Sequence, residues 1–293
     1  MLQPIVVGVD GSRESVAAVD WAARDALRRA RPLRIVHAQE VVPQQDEPTV
    51  LPELRVPQYW ARRVLCGALD RVSERYSQVY VSAEQIARPP IPALVAAAEE
   101  AELLVLGSQG FGGPGGRLAG SVAMAVVGQA GRPVVLVRAG YTAGDERLPA
   151  AGGRPAECAP YRDVAVAVDL SHACASLLEF AFQEAERRHA ILRVIHAWHP
   201  PTLRTFPAQA QQDAEWVLAS SLEPWRDKYP EVTVRARAVE GRPTHHVLEL
   251  ADAAGLLVIG RETHRPPIGG HLGRVAHAAI HHVQCPVAVV AHG

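Results

Sequence analysis

Ile5–Asp10 reads IVVGVD, and Val164–Asp169 reads VAVAVD. Each is a short β-branched run closed by an aspartate, the pattern of a buried strand in a parallel sheet. The echo continues along the chain. Leu33–Ala38 (LRIVHA) returns as Leu192–Ala197 (LRVIHA), Leu103–Gly107 (LLVLG) as Leu256–Gly260 (LLVIG), and Arg132–Val137 (RPVVLV) as Cys285–Val290 (CPVAVV). Four matches in one order, at spacings that agree within a few residues, mark an internal duplication. Between the copies Gly140–Pro160 is rich in Gly, Ala and Pro, lacks apolar periodicity and reads as a linker. The expected organisation is one domain over residues 1–139, a linker over 140–160 and a second domain over 161–293.

Helix-length amphipathic stretches separate the strand-like runs. In the first copy strands are expected near 4–10, 33–38, 79–86, 103–108 and 133–138, with helices near 13–30, 57–76, 92–101 and 120–130. Ser12 can cap the first helix, and Pro92 suits the first turn of the third. In the second copy Ser171 is expected to open a helix running to His189, with others at Gln209–Lys228, from Pro243 and at Arg274–His282. This alternation predicts an α/β fold: two tandem Rossmann-like open sheets, mostly parallel, of five strands each. Ligands of such sheets bind beyond the C-terminal strand ends, where the strand order reverses.

The composition narrows the function. The formal net charge is −1, so no overall basic field draws the chain to nucleic acid. The single lysine is Lys228, which rules out a P-loop lysine in the first copy. Cys66, Cys158, Cys174 and Cys285 form no CxxC pair and suggest neither a zinc site nor a disulfide framework. No apolar run reaches the ~18–20 residues of a membrane span, and the N-terminus lacks signal-peptide character. A cytoplasmic protein that does not engage a membrane is the expectation.

After the fourth strand, residues 107–121 read GSQGFGGPGGRLAGS and fit G-x2-G-x9-G-[S/T]. Gly107 is expected to let the backbone turn sharply as it leaves the sheet. Gly110 can take positive φ and bring its N–H close to an anion. Gly120 and Ser121 stand where a helix begins, so unpaired N–H groups and the positive dipole end face a ligand. Arg117 adds charge. Read blandly, the same segment is a loop whose Ser121 is an ordinary N-cap. Asp10 also has two readings. Its carboxylate can accept bonds from ribose hydroxyls or an adenine amino group, or it can form an Asx turn with Ser12; both roles can coexist. Ala38, after the second strand, is small enough to offer its backbone to a flat base. His37 and its counterpart His196 read as core or crevice-lining residues rather than catalysts.

IVVGVDGS, LRIVHA and GSQGFGGPGGRLAGSV together resemble the universal stress protein family, in its ATP-binding branch, and the likeness spans nearly the whole chain, once per copy. The resemblance implies a strand order of 3-2-1-4-5. It implies adenine near Asp10 and the backbone of Ala38, and ribose and phosphates on Gly107, Gly110, Gly120, Ser121 and Val122. Gly8, Val9, Ser12, Leu106 and Ser108 at the strand ends, with Arg117 in the loop, complete the implied contact set. ATP is the implied ligand, accompanied by Mg²⁺ or Mn²⁺ and turned over slowly or not at all. The resemblance further implies that the two fifth strands meet, so that the domains pair within one chain. Homodimers and an unidentified protein partner are also expected.

The second copy departs from the motif. Residues 260–275 read GRETHRPPIGGHLGRV, with Thr263 where the second glycine should be and Arg274 in place of the serine. Thr263 resists positive φ, and Arg274 opposes the helix dipole, although a long cation can also bind phosphate directly. Weak or absent ATP binding is expected here. His264, His271, His277, His281 and His282 cluster in this stretch; His277 and His281 share a helix face without a third partner at metal-site spacing, and His245 and His246 read as structural too. No G-x-S-x-G elbow and no dedicated general base is visible. An ATP-binding stress regulator is the leading expectation. A slow adenine-nucleotide hydrolase and a nucleotide-independent dimerisation scaffold are the alternatives.

Overall fold

The computed structural model describes residues 2–40, 56–108, 121–149, 159–198, 207–263 and 272–293. The chain divides into two compact units, Met1–Gly140 and Tyr141–Gly293. The first contains β1 (Ile5–Gly8), α1 (Arg13–Arg29), β2 (Leu33–Ala38), α2 (Val56–Arg75), β3 (Val81–Ile86), α3 (Pro90–Glu99), β4 (Leu103–Ser108), α4 (Ser121–Gln129) and β5 (Val134–Arg138). The second contains β6 (Asp163–Val168), α5 (Ala175–Arg188), β7 (Leu192–Trp198), α6 (Pro207–Lys228), β8 (Val234–Glu240), α7 (Pro243–Ala251), β9 (Ala254–Glu262), α8 (Arg274–His282) and β10 (Val287–His292).

Within the first unit the strands run parallel in the order β3-β2-β1-β4-β5, and within the second in the order β8-β7-β6-β9-β10. Both orders are 3-2-1-4-5. The chain reverses direction of travel across the sheet at the first strand of each unit. Ile5 pairs with Leu33 on one side and Leu103 on the other, and Ile5, Val6 and Val7 are fully buried. A strand covered on both faces needs this continuous apolar run.

α1 shows how local chemistry fixes an element. Gly11, at φ +84°, turns the chain sharply after β1. The Ser12 Oγ then accepts the Ser15 N–H at 3.1 Å and caps the helix. Its inner face buries Val19, Trp21, Ala22, Ala23 and Ala26. It ends at Ala30 in the left-handed region, where the Arg31 N–H reaches the Ala26 carbonyl at 2.9 Å. A fully buried carboxylate, Asp25, sits between Arg28 and Arg29, and Arg29 continues to Glu102. The second unit repeats the device, with buried Glu184 held by Arg187 and Arg188.

The second unit's first helix corrects the sequence-based expectation. Ser171 does not open it; α5 begins at Ala175. Leu170 stands where the first unit has Gly11, and it keeps negative φ. Ser171 keeps the Asx turn that Ser12 makes, its N–H donating to Asp169 Oδ1 at 3.0 Å, but its Oγ also donates to Asp169 Oδ1, at 2.6 Å, where the Ser12 Oγ caps a helix.

The stretch between the copies is not uniform. Residues 141–149 pack on the second unit. Tyr141 Oη donates to the Gly255 carbonyl at 3.0 Å, and Arg162 N and Leu148 N donate to Glu146 O and Pro160 O at 2.8 and 2.9 Å. Glu146 is buried.

Candidate functional site

Two equivalent crevices open at the C-terminal strand ends, one in each unit. The first, of about 250 Å³, is bounded by the ends of β1, β2 and β4 and by the starts of α1, α3 and α4. Of the residues singled out in the sequence, Gly8, Val9, Asp10, Ser12, Ala38, Leu106, Gly107, Ser121 and Val122 line it together. Ser108 does not: it is buried in β4, in register with Arg138. Gly110, Arg117 and Gly120 lie outside the described residues. Ser15, Val36, Pro90, Leu94 and Ala123 also line the crevice. Residue-by-residue reading missed these five. Their signal was indirect, because each lies on the apolar or small-residue face of an element whose end borders the crevice.

Asp10 lies two residues beyond β1. Its Oδ1 accepts the Ser12 N–H at 2.9 Å, so the Asx turn exists, and the residue remains exposed. Partial burial pushes its carboxyl upward, but hydrogen bonds from the Ser12 side chain and main chain outweigh this and hold the pKa below the ordinary carboxylate value. At neutral pH Asp10 is therefore an acceptor facing the crevice. Buried His37 fixes the strand end behind it: Nδ1 donates to the Val9 carbonyl at 2.7 Å. His196 does the same to Val168 at 3.1 Å. Both histidines serve as buckles on the strand ends.

Gly107 has a different task from the one expected. It lies inside β4, paired with Val137, and does not take positive φ. A Cβ there would stand 2.6 Å from the Glu14 carbonyl carbon and 2.7 Å from Ser15 N. The glycine is required because the start of α1 packs directly on the strand, not because the chain turns.

The second crevice, of about 160 Å³, is built from matching positions: Val168, Asp169, Ala197, Pro243, Ile259, Gly260 and Val275 stand where the first has Val9, Asp10, Ala38, Pro90, Leu106, Gly107 and Val122. β9 runs on through Gly260, Arg261 and Glu262, paired with Val290, Ala291 and His292 of β10. The Thr263 N–H donates to the His292 carbonyl at 2.9 Å, and Thr263 Oγ1 donates to the same oxygen at 3.2 Å. The main-chain donor at the motif's second-glycine position is thus already engaged. The His292 ring lies against Gly260, and its Nδ1 donates to the Ala173 carbonyl at 3.0 Å. Across the mouth, His172 Nε2 meets Glu262 at 2.8 Å while its Nδ1 lies 3.6 Å from Asp169.

Among the described residues the other reactive side chains lie as follows. Cys174 takes the place of Ser15, and burial, with the Asp169 charge beside it, raises its thiol pKa above the ordinary value. The His277 and His281 rings lie 4.3 Å apart, one exposed and one buried. His245 and His246 share Glu249 at 3.3 and 3.6 Å. Among the described residues no group of three His, Cys, Asp or Glu is arranged to hold a metal ion, and no helix is long and apolar enough to cross a membrane. His264 and His271 lie outside the described residues.

Comparison with known proteins agrees with this architecture. Universal stress protein Rv2005c of Mycobacterium tuberculosis is 33% identical over 97% of this chain and 96% of its own length. Universal stress protein Rv2623 of the same organism is 32% identical over 97% of this chain and 95% of its own. The crystal structure of a universal stress protein from Archaeoglobus fulgidus superposes with a TM-score of 0.70 over the full length of both chains at 15% identity, a likeness of fold. A universal stress protein solved in complex with cAMP is 30% identical over 47% of this chain and 97% of its own, with a TM-score of 0.36. The model of the universal stress protein family matches residues 1–138 and again residues 160–291. The chain belongs to the universal stress protein family and carries two such domains in tandem.

Proposed function

We propose that the first unit binds ATP and that the protein acts as a nucleotide-dependent regulator of the stress response, with little or no hydrolysis. One observation carries the reading: the crevice at the sheet's reversal point gathers an ionised Asp10, the small Ala38 and the Gly107 strand end, and Ser121 at the start of α4 borders it. The first three suit a flat base and its ribose. The N-terminus of α4 offers unpaired N–H groups to a phosphate tail. The glycine-rich segment joining β4 to α4, with Gly110, Arg117 and Gly120, would complete the cradle through main-chain donors. Mg²⁺ or Mn²⁺ would travel with the phosphates. Asp10 already spends one oxygen on the Ser12 N–H, which suits recognition better than activation of a water molecule.

The same reading extends to assembly. β5 and β10 are each the last strand in their unit's sheet order, and we propose that the domains pair through them, with homodimers and a protein partner beyond. A cytoplasmic setting fits the reading.

Equilibrium dialysis of ATP against the full chain tests the site. Asp10→Ala is expected to weaken binding by about tenfold or more, since a bond to a charged acceptor is lost. Gly110→Ala is expected to weaken it as well. Undiminished affinity in both variants defeats the assignment, and turnover near one per second would favour a hydrolase.

A further inference from the structure

A groove of about 290 Å³ runs between α1 and α2 of the first unit, close to the lower end of small-ligand sites. Val16 and Val19 line it from α1, and Trp60, Val64 and Ala68 from α2. Trp60 and Val16 are 48% and 39% exposed, so two apolar side chains meet solvent across one concavity. Trp60 and Val64 are set against the turn that leads into α1: a Cβ on Gly11 would stand 3.3 Å from the Trp60 ring and 2.9 Å from Val64 Cγ2. Val9 and Ser15 form the wall common to this groove and the first crevice.

Gly67 keeps the groove open. A glycine inside a helix costs stability against alanine and needs a reason. Its φ is not positive, and nothing among the described residues lies within 4 Å of where its Cβ would stand, so neither the backbone nor a neighbour demands it. What the missing side chain leaves is space in the groove. The charge around that space is one-sided. Arg71 at one end is neutralised by Asp20, with Nε and Nη2 lying 2.7 and 2.6 Å from the two carboxylate oxygens. Arg63, one turn beyond Trp60, borders the groove with an exposed guanidinium, and no carboxylate among the described residues pairs with it. An apolar channel with one uncompensated cation at its rim suits a ligand with an aliphatic body and a single carboxylate. The second unit does not repeat these residues. In the register that sets Tyr76 on Tyr229 and Val81 on Val234, Asp213, Trp216 and Ser220 replace Trp60, Arg63 and Gly67. The fold itself therefore does not require them.

We infer that the α1–α2 groove of the first unit is a binding site for a small aliphatic carboxylate, its acid group on Arg63 and its chain along Gly67 and Ala68, separate from the strand-end crevice. Isothermal titration calorimetry of the full chain with butyrate, hexanoate and octanoate tests this without reference to nucleotide. One saturable site per chain is expected, tightening about threefold for each added methylene that enters the groove. Gly67→Leu places a side chain in open space, so the fold is not threatened, and is expected to weaken octanoate about tenfold or more by excluding several methylenes. Arg63→Gln is expected to weaken octanoate about three- to fivefold, the worth of a partly exposed ion pair, while Arg63→Lys stays within about twofold of the unaltered chain. Octan-1-ol, with no charge to place, should bind the unaltered chain and Arg63→Gln alike. No saturable binding, an affinity indifferent to chain length, or unchanged octanoate affinity in Gly67→Leu or Arg63→Gln overturns the inference. So does competitive displacement of octanoate by ATP, which would put the carboxylate in the crevice instead.

Discussion

Two glycines of the first unit have opposite meanings. At Gly107 an added methyl would press on main-chain atoms of Glu14 and Ser15, which cannot swing aside. Gly107→Ala is therefore expected to destabilise by about 1–3 kcal/mol, read as a lower urea midpoint at unchanged slope. Gly67, inside α2, has nothing within 4 Å of an added Cβ, and Gly67→Ala is expected to stabilise by about 0.5–1 kcal/mol in the same assay. The sequence showed that Gly107 mattered but not why. A glycine at the end of a strand looks alike whether it turns the chain or admits a neighbouring helix; only the position of α1 separates the two. Asp10 and Ala38 were easier to read, because a residue just beyond a buried strand has few places to go. Ser108 was harder: β4 continues one residue past the glycine and keeps its side chain in the sheet.

Among the elements, the first copy's strands were legible to within a residue or two because most are β-branched runs bounded by breakers, and the duplication wrote four of the five twice; β3 (VSAEQI) has no such echo. Helix starts depended on single residues. Gly11 lets α1 begin at Arg13, while Leu170 delays α5 to Ala175. The ion clusters at the ends of these helices were invisible, since an Asp or Glu followed by two arginines also describes a solvated face. In the structure Asp25 is fully buried between Arg28 and Arg29. Asp25→Ala leaves two buried guanidinium groups short of charge and is expected to cost about 3 kcal/mol by chemical denaturation. Glu184→Ala should cost a similar amount in the second unit.

For the molecule as a whole, the tandem organisation followed from the repeat, but the ownership of the segment between the copies did not. Residues 141–149 hold to the second unit through main-chain bonds and Tyr141, interactions that leave no apolar rhythm to detect. A second unit expressed from Tyr141 should accordingly melt about 10 °C above one expressed from Tyr161, as three bonds that cross the cut, Tyr141 Oη to Gly255 O, Arg162 N to Glu146 O and Arg162 Nε to Arg147 O, are worth about 3 kcal/mol together. Equal melting temperatures would mean that the segment merely rests on the surface.

The pairing of β9 out to Glu262 bears on any attempt to rebuild the second copy in the image of the first. Changing Thr263 to glycine and Arg274 to serine would supply the first copy's letters, yet the ladder from Gly260 to Glu262 along β10 would still hold that stretch extended. Spelling alone does not transplant a loop whose backbone a neighbouring strand already grips.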